Sequence, residues 1–485
     1  MTNRTYGIES SLHNNKLFLG GRWALPVTDN MVEVVSPATG EIIHRLPEVT
    51  VDDARKAVDS ASAAFNDWSG ATSETRIDVV DRFFAAFQKR LHSIQRIWAV
   101  ETGMPVQLGE AFNTNTALIW EDIIKIARSV SFTETRDTPC GRVIIRHEGI
   151  GPTAAIMTYN GPQIELAMAV IPGLIAGNTF VVKLPPENQM LSYLLAEAAE
   201  EAGFPEGVIS IFAAGTEVSK FLVSHPNIDA VHFTGGTEVG TEVIKSCAGR
   251  MARTTLELGG KSAAIVADDV DLETIIPQLI GGMTTFCGQI CVAMTRILLP
   301  RSRHDEIVER LVEGFRSIIV GDPLDSKTQY GPLATERVRD RAEKYIEEAV
   351  TAGAQVAFGG KRPERFDRGW YLEPTLLTNI DNAMEVAQNE IFGPVFSVIS
   401  YDDIDDAIRI ANDSKYGLCG SVFTKDMSLA HKVAEQVRSG TFVINATFPC
   451  LTAPFGGMKY SGYGRESSRE SLFELTDTKS ILLPE

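Results

Sequence analysis

The feature that most constrains the fold is a regular alternation of short β-branched or apolar runs with helix-length runs between residues 150 and 267. The strand-like runs cover residues 154–158, 179–183, 208–213, 230–234 and 262–267. The helix-length runs cover residues 164–176 and 191–202. Alternation at this spacing predicts right-handed βαβ units and a parallel sheet, whose ligands bind beyond the carboxyl ends of the strands.

The rest of the chain divides into three further regions. Residues 270–460 repeat the alternation and predict a second α/β domain, joined to the first near residues 258–270. Its predicted helices cover 307–319 and 337–352, and its predicted strands cover 396–400 and 441–445. Strand-like runs at 142–146 and 479–483 lie outside both patterns and predict a small separate β element.

The region from about 52 to 130 has a helical rhythm. Its apolar side chains at helical spacing predict one buried stripe formed by Phe83, Phe84, Phe87 and Leu91. A chain of 485 residues has room for two or three domains, and 44% apolar with 22% charged residues is typical of soluble globular proteins.

The charge balance excludes some partners. The net charge is −18, because 45 Lys and Arg residues oppose 63 Asp and Glu residues. An acidic chain without a basic block is a poor partner for nucleic-acid phosphates or anionic lipids, so we predict neither nucleic-acid nor membrane binding.

The cysteines and the termini indicate a cytoplasmic protein. Six cysteines are too few for a disulfide framework in a chain of this length and fit a reducing compartment. The N-terminus lacks the apolar core of a secretory signal. The most apolar stretch, residues 166–182, contains Pro172, Gly173 and Gly177 and predicts helix, turn and strand rather than a membrane span.

Several common catalytic motifs are absent. The sequence has no H-E-x-x-H, C-x-x-C or G-x-S-x-G, so zinc and serine hydrolases of the usual kinds lose support. Residues 149–154 match G-x-G-x-x-A, but they precede a strand and include Pro152, which does not fit a dinucleotide fingerprint. The eight histidines are scattered, and no metal site is predicted.

Two residues are candidates for covalent and acid–base chemistry. Cys291 follows Gly288 and Gln289 in a tight turn, where a thiol can act as a nucleophile, although a lone cysteine is usually a small buried hydrophobe. Glu257 is flanked by leucines at the end of an apolar strand. It is either a general base with a raised pKa or a carboxylate held by an ion pair or backbone N–H groups.

Two turns after predicted strands add binding groups. Asn160 is either an amide donor to a developing oxyanion or part of a plain Asn-Gly turn. Residues 233–240 form a glycine turn before a helix, where backbone N–H groups can bind phosphate. Glu165, on the helix after Asn160, either faces the substrate entrance or is a solvated or ion-paired carboxylate.

Together and in this order, these segments resemble the aldehyde dehydrogenase superfamily over nearly the whole chain. The matching segments are Asn160, F-V-V-K ending at Lys183, the turn 233–240, L-E-L-G-G-K around Glu257, Cys291 after G-Q, E-I-F-G-P-V at 390–395, and the C-terminal segments 454–459 and 461–466.

The resemblance implies an α/β fold with three parts. They are a Rossmann-like NAD(P)-binding domain over 1–128 and 150–258, a second α/β catalytic domain over 259–460, and a small β oligomerisation element over 129–149 and 461–485. A homodimer or homotetramer is expected. An exposed edge strand in the small element supports association, because such strands are a liability unless paired.

The resemblance also implies a non-acylating oxidation of an aldehyde to its carboxylic acid with NAD(P)+. Cys291 attacks the aldehyde carbon and Asn160 stabilises the oxyanion of the thiohemiacetal. Hydride transfer leaves a thioester, and Glu257 activates the water that hydrolyses it. Glu466 assists proton movement.

The cofactor residues follow from the same resemblance. Lys183 and Glu187 are expected at the adenosine ribose, Glu390 at the nicotinamide ribose and Phe392 beside the nicotinamide. The residues expected around the remainder of the dinucleotide are Gly215, Gly235, Gly236, Val239 and Leu258. Gly236 replaces the common serine, and Glu187 stands four residues after Lys183, where the family commonly has glutamate three residues on. A carboxylate near the 2′ position favours NAD, and NADP remains an alternative.

Two other functions remain alternatives. A CoA-acylating relative generally lacks the base that Glu257 represents, and a catalytically idle member does not need Asn160, Glu257 and Cys291 intact.

Gly161 is small and Ile290 is apolar, and no arginine stands beside the motifs to bind a substrate carboxylate. We therefore predict a medium-sized aliphatic or aromatic aldehyde as the small-molecule substrate.

Overall fold

The structure, a computed structural model, describes residue 13 and residues 15–483. The strands are β1 (Leu17–Leu19), β2 (Arg22–Ala24), β3 (Met31–Val35), β4 (Ile42–Pro47), β5 (Thr133–Thr138), β6 (Gly141–Gly149), β7 (Thr153–Ile156), β8 (Phe180–Leu184), β9 (Ile209–Ala213), β10 (Ala230–Thr234), β11 (Arg253–Glu257), β12 (Ser262–Val266), β13 (Met294–Pro300), β14 (Gln355–Phe358), β15 (Thr375–Thr378), β16 (Val395–Tyr401), β17 (Tyr416–Gly417), β18 (Cys419–Phe423), β19 (Thr441–Ile444), β20 (Met458–Lys459), β21 (Gly462–Tyr463) and β22 (Thr476–Leu482).

The helices lie between these strands. They are α1 (Val51–Gly70), α2 (Ser73–Gln88), α3 (Leu91–Thr102), α4 (Val106–Ser129), α5 (Pro162–Glu165), α6 (Ile171–Ala176), α7 (Gln189–Ala202), α8 (Thr216–Ser224), α9 (Thr237–Ala248), α10 (Leu272–Thr284), α11 (His304–Arg316), α12 (Glu336–Thr351), α13 (Glu385–Gln388), α14 (Ile404–Asn412), α15 (Met427–Gln436) and α16 (Ser468–Glu474). Leu166–Val170 is a π-helical segment between α5 and α6. Over the described ranges, no helix has the length and apolarity to span a bilayer.

The first alternating block forms an eight-stranded sheet in the order β2-β1-β9-β8-β7-β10-β11-β21. The neighbours from β9 to β11 pair in parallel, which confirms the predicted parallel sheet. The chain runs from β7 outward through β8 to β9 and then returns to the other side of β7 with β10. This reversal is a topological switch point, and in such folds it opens a crevice at the carboxyl ends of the strands.

The second alternating block forms a seven-stranded sheet in the order β14-β15-β16-β13-β12-β18-β19. All of its pairs except β14 with β15 are parallel. The chain enters this sheet at β12, inside the predicted junction at 258–270. The predicted α/β fold class with a second α/β unit is confirmed, and the domain boundaries stay predictions.

The small β element is a three-stranded antiparallel sheet in the order β22-β6-β5. Lys479 pairs with Arg146, so the two strand-like runs that lay outside the main patterns pair with each other as predicted. By contrast, β21 pairs with β11 in the first sheet. The chain therefore returns to the first sheet before its C-terminal strand.

The aromatic side chains of α2 form a core with neighbouring helices. The Phe83 ring lies 5.0 Å from Trp120 of α4 and 5.5 Å from Phe204 after α7, both edge-on. The prediction of one stripe along a single helix is wrong for Leu91. The helix α2 stops at Gln88, the chain turns, and Leu91 begins α3.

We expect Phe83→Ala to destabilise the protein by about 3–5 kcal/mol, because it leaves a cavity among aromatic rings. Denaturant titration and the melting temperature measure the loss. Leu118→Ala is the matched control, because Leu118 lies on α4 with 51% of its surface exposed, and its effect should stay within about 0.5 kcal/mol. Equal losses in both variants would contradict this assignment of the core.

Candidate active site

The carboxyl ends of four adjacent strands gather most of the predicted site residues. Ile156 of β7 is opposite Lys183 of β8 on one side and Phe233 of β10 on the other. Thr234 of β10 is opposite Glu257 of β11. Because these strands are parallel, the Asn160 turn, Lys183, the glycine turn at 235–236 and Glu257 all lie along one edge of the sheet.

The cysteine lies on a tightly wound loop from the second half of the chain. After α10, Phe286, Cys287 and Gly288 have φ values of 46°, 56° and 71°, three successive left-handed residues. The left-handed conformation costs free energy for every residue except glycine. At Gly288, a Cβ atom would lie 2.6 Å from the Gly393 carbonyl oxygen, so the close approach also requires glycine.

The buried side chain of Gln289 fixes this loop in place. Its Oε1 accepts hydrogen bonds from the Tyr159 hydroxyl at 3.0 Å and from the Ala334 N–H at 3.1 Å. Its Nε2 donates to the Phe286 carbonyl at 3.0 Å. The loop that presents Cys291 is therefore bonded to the residue next to Asn160.

Cys291 itself is partly exposed, and its surroundings disfavour the thiolate. Burial raises the pKa of the thiol well above its ordinary value, and the nearby carboxylates of Glu390 and Glu257 raise it further. At neutral pH Cys291 is consequently a thiol. A thiol that acts as a nucleophile must lose its proton to a base before or during attack.

Glu257 is buried at the end of β11 and carries the properties of a general base. Burial raises its pKa well above the ordinary value, the charge of Glu466 raises it further, and the charge of Arg465 opposes both effects. The carboxylate packs against Gly456, where a Cβ atom would lie 2.8 Å from Glu257 Oε1. A buried carboxyl group whose pKa is raised above its ordinary value is a candidate for general acid–base chemistry.

Glu466 lies in the same buried region. Its Oε1 is 2.6 Å from Nε2 of His232, a buried residue of β10. Nothing in the sequence distinguishes His232 among the eight scattered histidines. The fold brings it near Glu466 because β21, which precedes Glu466, pairs with β11, and β11 lies beside β10.

Asn160 has an oriented side chain. The Thr158 hydroxyl donates to Asn160 Oδ1 at 2.6 Å, which directs the amide NH2 group away from Thr158. Among the described residues, no hydrogen bond is recorded for this NH2 group or for the Cys291 backbone N–H. Both groups predicted to bind an oxyanion are thus available as donors.

The residues predicted at the adenosine ribose lie close together. Lys183 is buried, and burial lowers its pKa to about 8, while the charge of Glu187 acts in the opposite direction. Glu187 lies on the short 3₁₀ turn Pro186–Asn188, directly after β8. The extra residue before Glu187 therefore leaves a carboxylate within electrostatic reach of Lys183.

The glycine turns lie at helix N-termini. Gly215 and Gly236 are the N-cap residues of α8 and α9, and a Cβ atom on either would meet no neighbouring atom. Val239 on α9 is 55% exposed, while Leu258 is buried against Gly240. Free backbone N–H groups beside an exposed apolar side chain suit the phosphates and adenine of a dinucleotide.

The second half of the chain contributes Glu390 and Phe392. Glu390 Oε1 accepts a hydrogen bond from the Gly260 N–H at 3.0 Å. Phe392 is left-handed at φ 55°, and its ring lies edge-on to Tyr159 at 6.0 Å. These residues therefore lie beside the segments that hold Asn160 and Glu257.

The solvated or ion-paired carboxylate expected of Glu165 is wrong, and its position at the substrate entrance stays a prediction. Only 8% of its surface is exposed, and no ion pair is recorded for it among the described residues. Its Oε2 accepts the Thr158 N–H at 3.1 Å and its Oε1 contacts the Thr158 hydroxyl. The sequence did not single out Thr158, because a threonine after a strand carries no distinctive signal.

The fold is that of an α/β protein with a partly exposed cysteine near the carboxyl end of β11, and comparison with known proteins identifies the family. The model of the aldehyde dehydrogenase family matches residues 23–481. Geranial dehydrogenase from Castellaniella defragrans is 36% identical over 477 residues, which cover 98% of this chain and 99% of that protein. The chain therefore belongs to the aldehyde dehydrogenase family, and its recognition as an aldehyde-oxidising enzyme is confirmed.

Solved structures agree with this assignment. A Mycobacterium tuberculosis aldehyde dehydrogenase complexed with NAD+ has a TM-score of 0.94 at 41% identity, covering 97% of this chain and 98% of that chain. Betaine aldehyde dehydrogenase from Staphylococcus aureus in complex with NAD+ has a TM-score of 0.94 at 32% identity, covering 96% of this chain and 94% of that chain.

Gly288→Ala should disrupt the cysteine loop, because it adds a side chain at positive φ against the Gly393 carbonyl. We expect kcat to fall by about 100-fold, the scale of a displacement of about 1 Å. Gly281→Ala is the control, since it adds a methyl group to α10 in open space. Steady-state kinetics that show equal activity in both variants would contradict the steric argument.

Proposed function

We propose that the chain oxidises an aldehyde to its carboxylic acid with NAD+ through a covalent intermediate on Cys291. The observation that carries this proposal is the placement of a partly exposed thiol on a strained, anchored loop within electrostatic reach of the buried Glu257. A nucleophile, a base and two unpaired donors are the groups that acyl transfer through a thiol requires.

In the first step, Cys291 Sγ bonds to the aldehyde carbon and its proton leaves to Glu257, directly or through water. The carbonyl oxygen becomes an oxyanion, which the Asn160 amide and the Cys291 backbone N–H stabilise. Losing one such donor typically costs about 100- to 1,000-fold in rate. The free NH2 group of Asn160 supports this assignment.

Loss of a hydride from the thiohemiacetal carbon leaves a thioester on Cys291. Glu257 then removes a proton from water, and the resulting hydroxide attacks the thioester carbon. The bond to Cys291 breaks and the acid leaves. The raised pKa of Glu257 supports this double use, because it strengthens the carboxylate as a base. Glu466, beside His232, is placed to exchange protons with Glu257.

The residues present fit a dinucleotide. Lys183 and Glu187 would hold the adenosine ribose, the turn from Gly235 to Val239 the pyrophosphate and adenine, and Glu390 the nicotinamide ribose. When bound, NAD+ supplies the acceptor for the hydride. The Glu187 carboxylate disfavours a 2′-phosphate, and the NAD+ complexes of two structural relatives further support NAD over NADP.

The substrate is proposed to be an apolar aldehyde of medium size. Ile290 is buried beside the nucleophile, and Gly161 adds no side chain after Asn160. The relative named geranial dehydrogenase supports an unsaturated aliphatic aldehyde among the candidates.

We also propose a cytoplasmic homodimer or homotetramer. All six cysteines are free, which supports a reducing compartment. Among the described residues, the outer edges of β5 and β22 in the three-stranded sheet pair with no further strand, and Leu482 is exposed there. An edge of this kind is suited to pairing with a second copy.

Cys291→Ala should abolish oxidation while it leaves NAD+ affinity unchanged, because the thiol forms the intermediate and does not hold the cofactor. An aldehyde panel with NAD+ measures turnover, fluorescence titration measures binding, and mass spectrometry of trapped parent enzyme locates the adduct. Cys287→Ala is the control, since this neighbouring thiol is fully buried. Near-normal oxidation by Cys291→Ala would refute covalent catalysis at this residue.

The same panel separates the alternatives. Strict dependence on added CoA would establish an acylating enzyme, and no NADH from any aldehyde would establish an idle member.

Ionisation of Glu257 and Cys291 should increase the rate as pH rises from the acid range. Glu257 and Cys291 both have pKa values raised above their ordinary ones, so both are protonated at low pH and ionise as pH rises. Glu257→Gln should remove the base and most of the activity at every pH. A Glu257→Gln variant that keeps the parent rate and its pH dependence would contradict the assignment of Glu257 as the base.

A further inference from the structure

The Thr158 hydroxyl lies between two oxygen acceptors. It is 2.6 Å from Asn160 Oδ1 and also contacts Glu165 Oε1. The second oxygen of Glu165 accepts the Thr158 N–H at 3.1 Å, so the carboxyl group is held against Thr158 at both ends. A hydroxyl has one hydrogen and can donate to only one of the two acceptors.

Only two arrangements satisfy both contacts of the hydroxyl. In the first, Glu165 is protonated and donates to Thr158 Oγ1, which donates to Asn160 Oδ1. In the second, Glu165 is ionised and accepts from Thr158, whose oxygen then accepts from the NH2 group of a rotated Asn160 amide. The first arrangement leaves the NH2 group free, and the second uses it and turns the carbonyl oxygen outward.

We propose that Glu165 is a positioning residue whose proton, passed on through the Thr158 hydroxyl, holds the Asn160 amide with its NH2 group toward the substrate oxygen. This inference rests on the proposed role of Asn160 as an oxyanion donor. When Glu165 loses its proton, the outward carbonyl oxygen of Asn160 repels the developing charge. Rotation of the Asn160 amide thereby removes the donor, and the backbone does not have to move.

The surroundings of Glu165 support a proton held near neutral pH. Burial raises its pKa to about 7, with the Glu466 charge raising it and the Thr158 hydrogen bonds and His232 lowering it. Glu165 in turn raises the pKa of Glu257 and of Cys291. A rise in pH therefore has opposite effects, since it ionises the base Glu257 and also releases the Asn160 amide.

The first test removes the connecting hydroxyl. Thr158→Val should slow single-turnover NADH formation by at least about ten-fold, and by no more than the roughly 100- to 1,000-fold cost of losing an oxyanion donor. NAD+ affinity and melting temperature should not change. Thr158→Ser keeps the hydroxyl and should restore the rate. In an Asn160→Ala background, Thr158→Val should have no further effect, because the group that it orients is gone.

The second test fixes the protonated arrangement. The Glu165→Gln amide can donate to Thr158 at every pH, so its single-turnover rate should match the parent at low pH and exceed it increasingly as pH rises past about 7. In a Thr158→Val background this excess should disappear. An equal excess in that background would show that the lost charge acts directly on Cys291 or Glu257, and would overturn the proposal.

The outcomes distinguish this inference from the proposed function. If Asn160→Ala retains the parent rate, the assignment of the oxyanion donor fails. If Asn160→Ala is slow but Thr158→Val is not, the proposed function stands and the positioning role of Glu165 is refuted.

Discussion

The site depends on the pairing of β7 with a parallel neighbour on each side. This central strand ends at Ile156, and the next residues carry Thr158 and Asn160 into the crevice. Its partners β8 and β10 end at Lys183 and at the glycine turn, and β11 adds Glu257 one strand further out. A slip of one residue in any of these pairings would turn alternate side chains to the opposite face of the sheet.

Much of this arrangement could be predicted from the sequence, because the spacing of apolar residues distinguishes strands from helices where it is regular. Asn160, Glu257 and Cys291 could be singled out because each occurs in an unusual local context. Leu91 shows the limit of periodicity, since a chain reversal at residues 89–90 leaves the spacing of apolar residues undisturbed. Glu165 and His232 could not be interpreted alone, because their roles arise from contacts between segments that are distant in sequence or across a turn.

The electrostatics of the crevice follow from concentrating carboxylates in a poorly hydrated space. Glu165, Glu257, Glu390 and Glu466 all raise the pKa of the same thiol. Glu165 and Glu466 also raise the pKa of Glu257, and Glu466 raises that of Glu165. Ionisation of one of these carboxyl groups therefore makes ionisation of its neighbour less favourable.

The three hydrogen bonds of the Gln289 side chain couple the position of the cysteine loop to other parts of the fold. One amide joins the cysteine loop to Tyr159, which follows the first sheet, and to Ala334, which belongs to the second half of the chain. Relative motion of the two halves would stretch the hydrogen bond to Tyr159. Displacement of Tyr159 would therefore shift the loop that carries Cys291 even while both sheets stay folded.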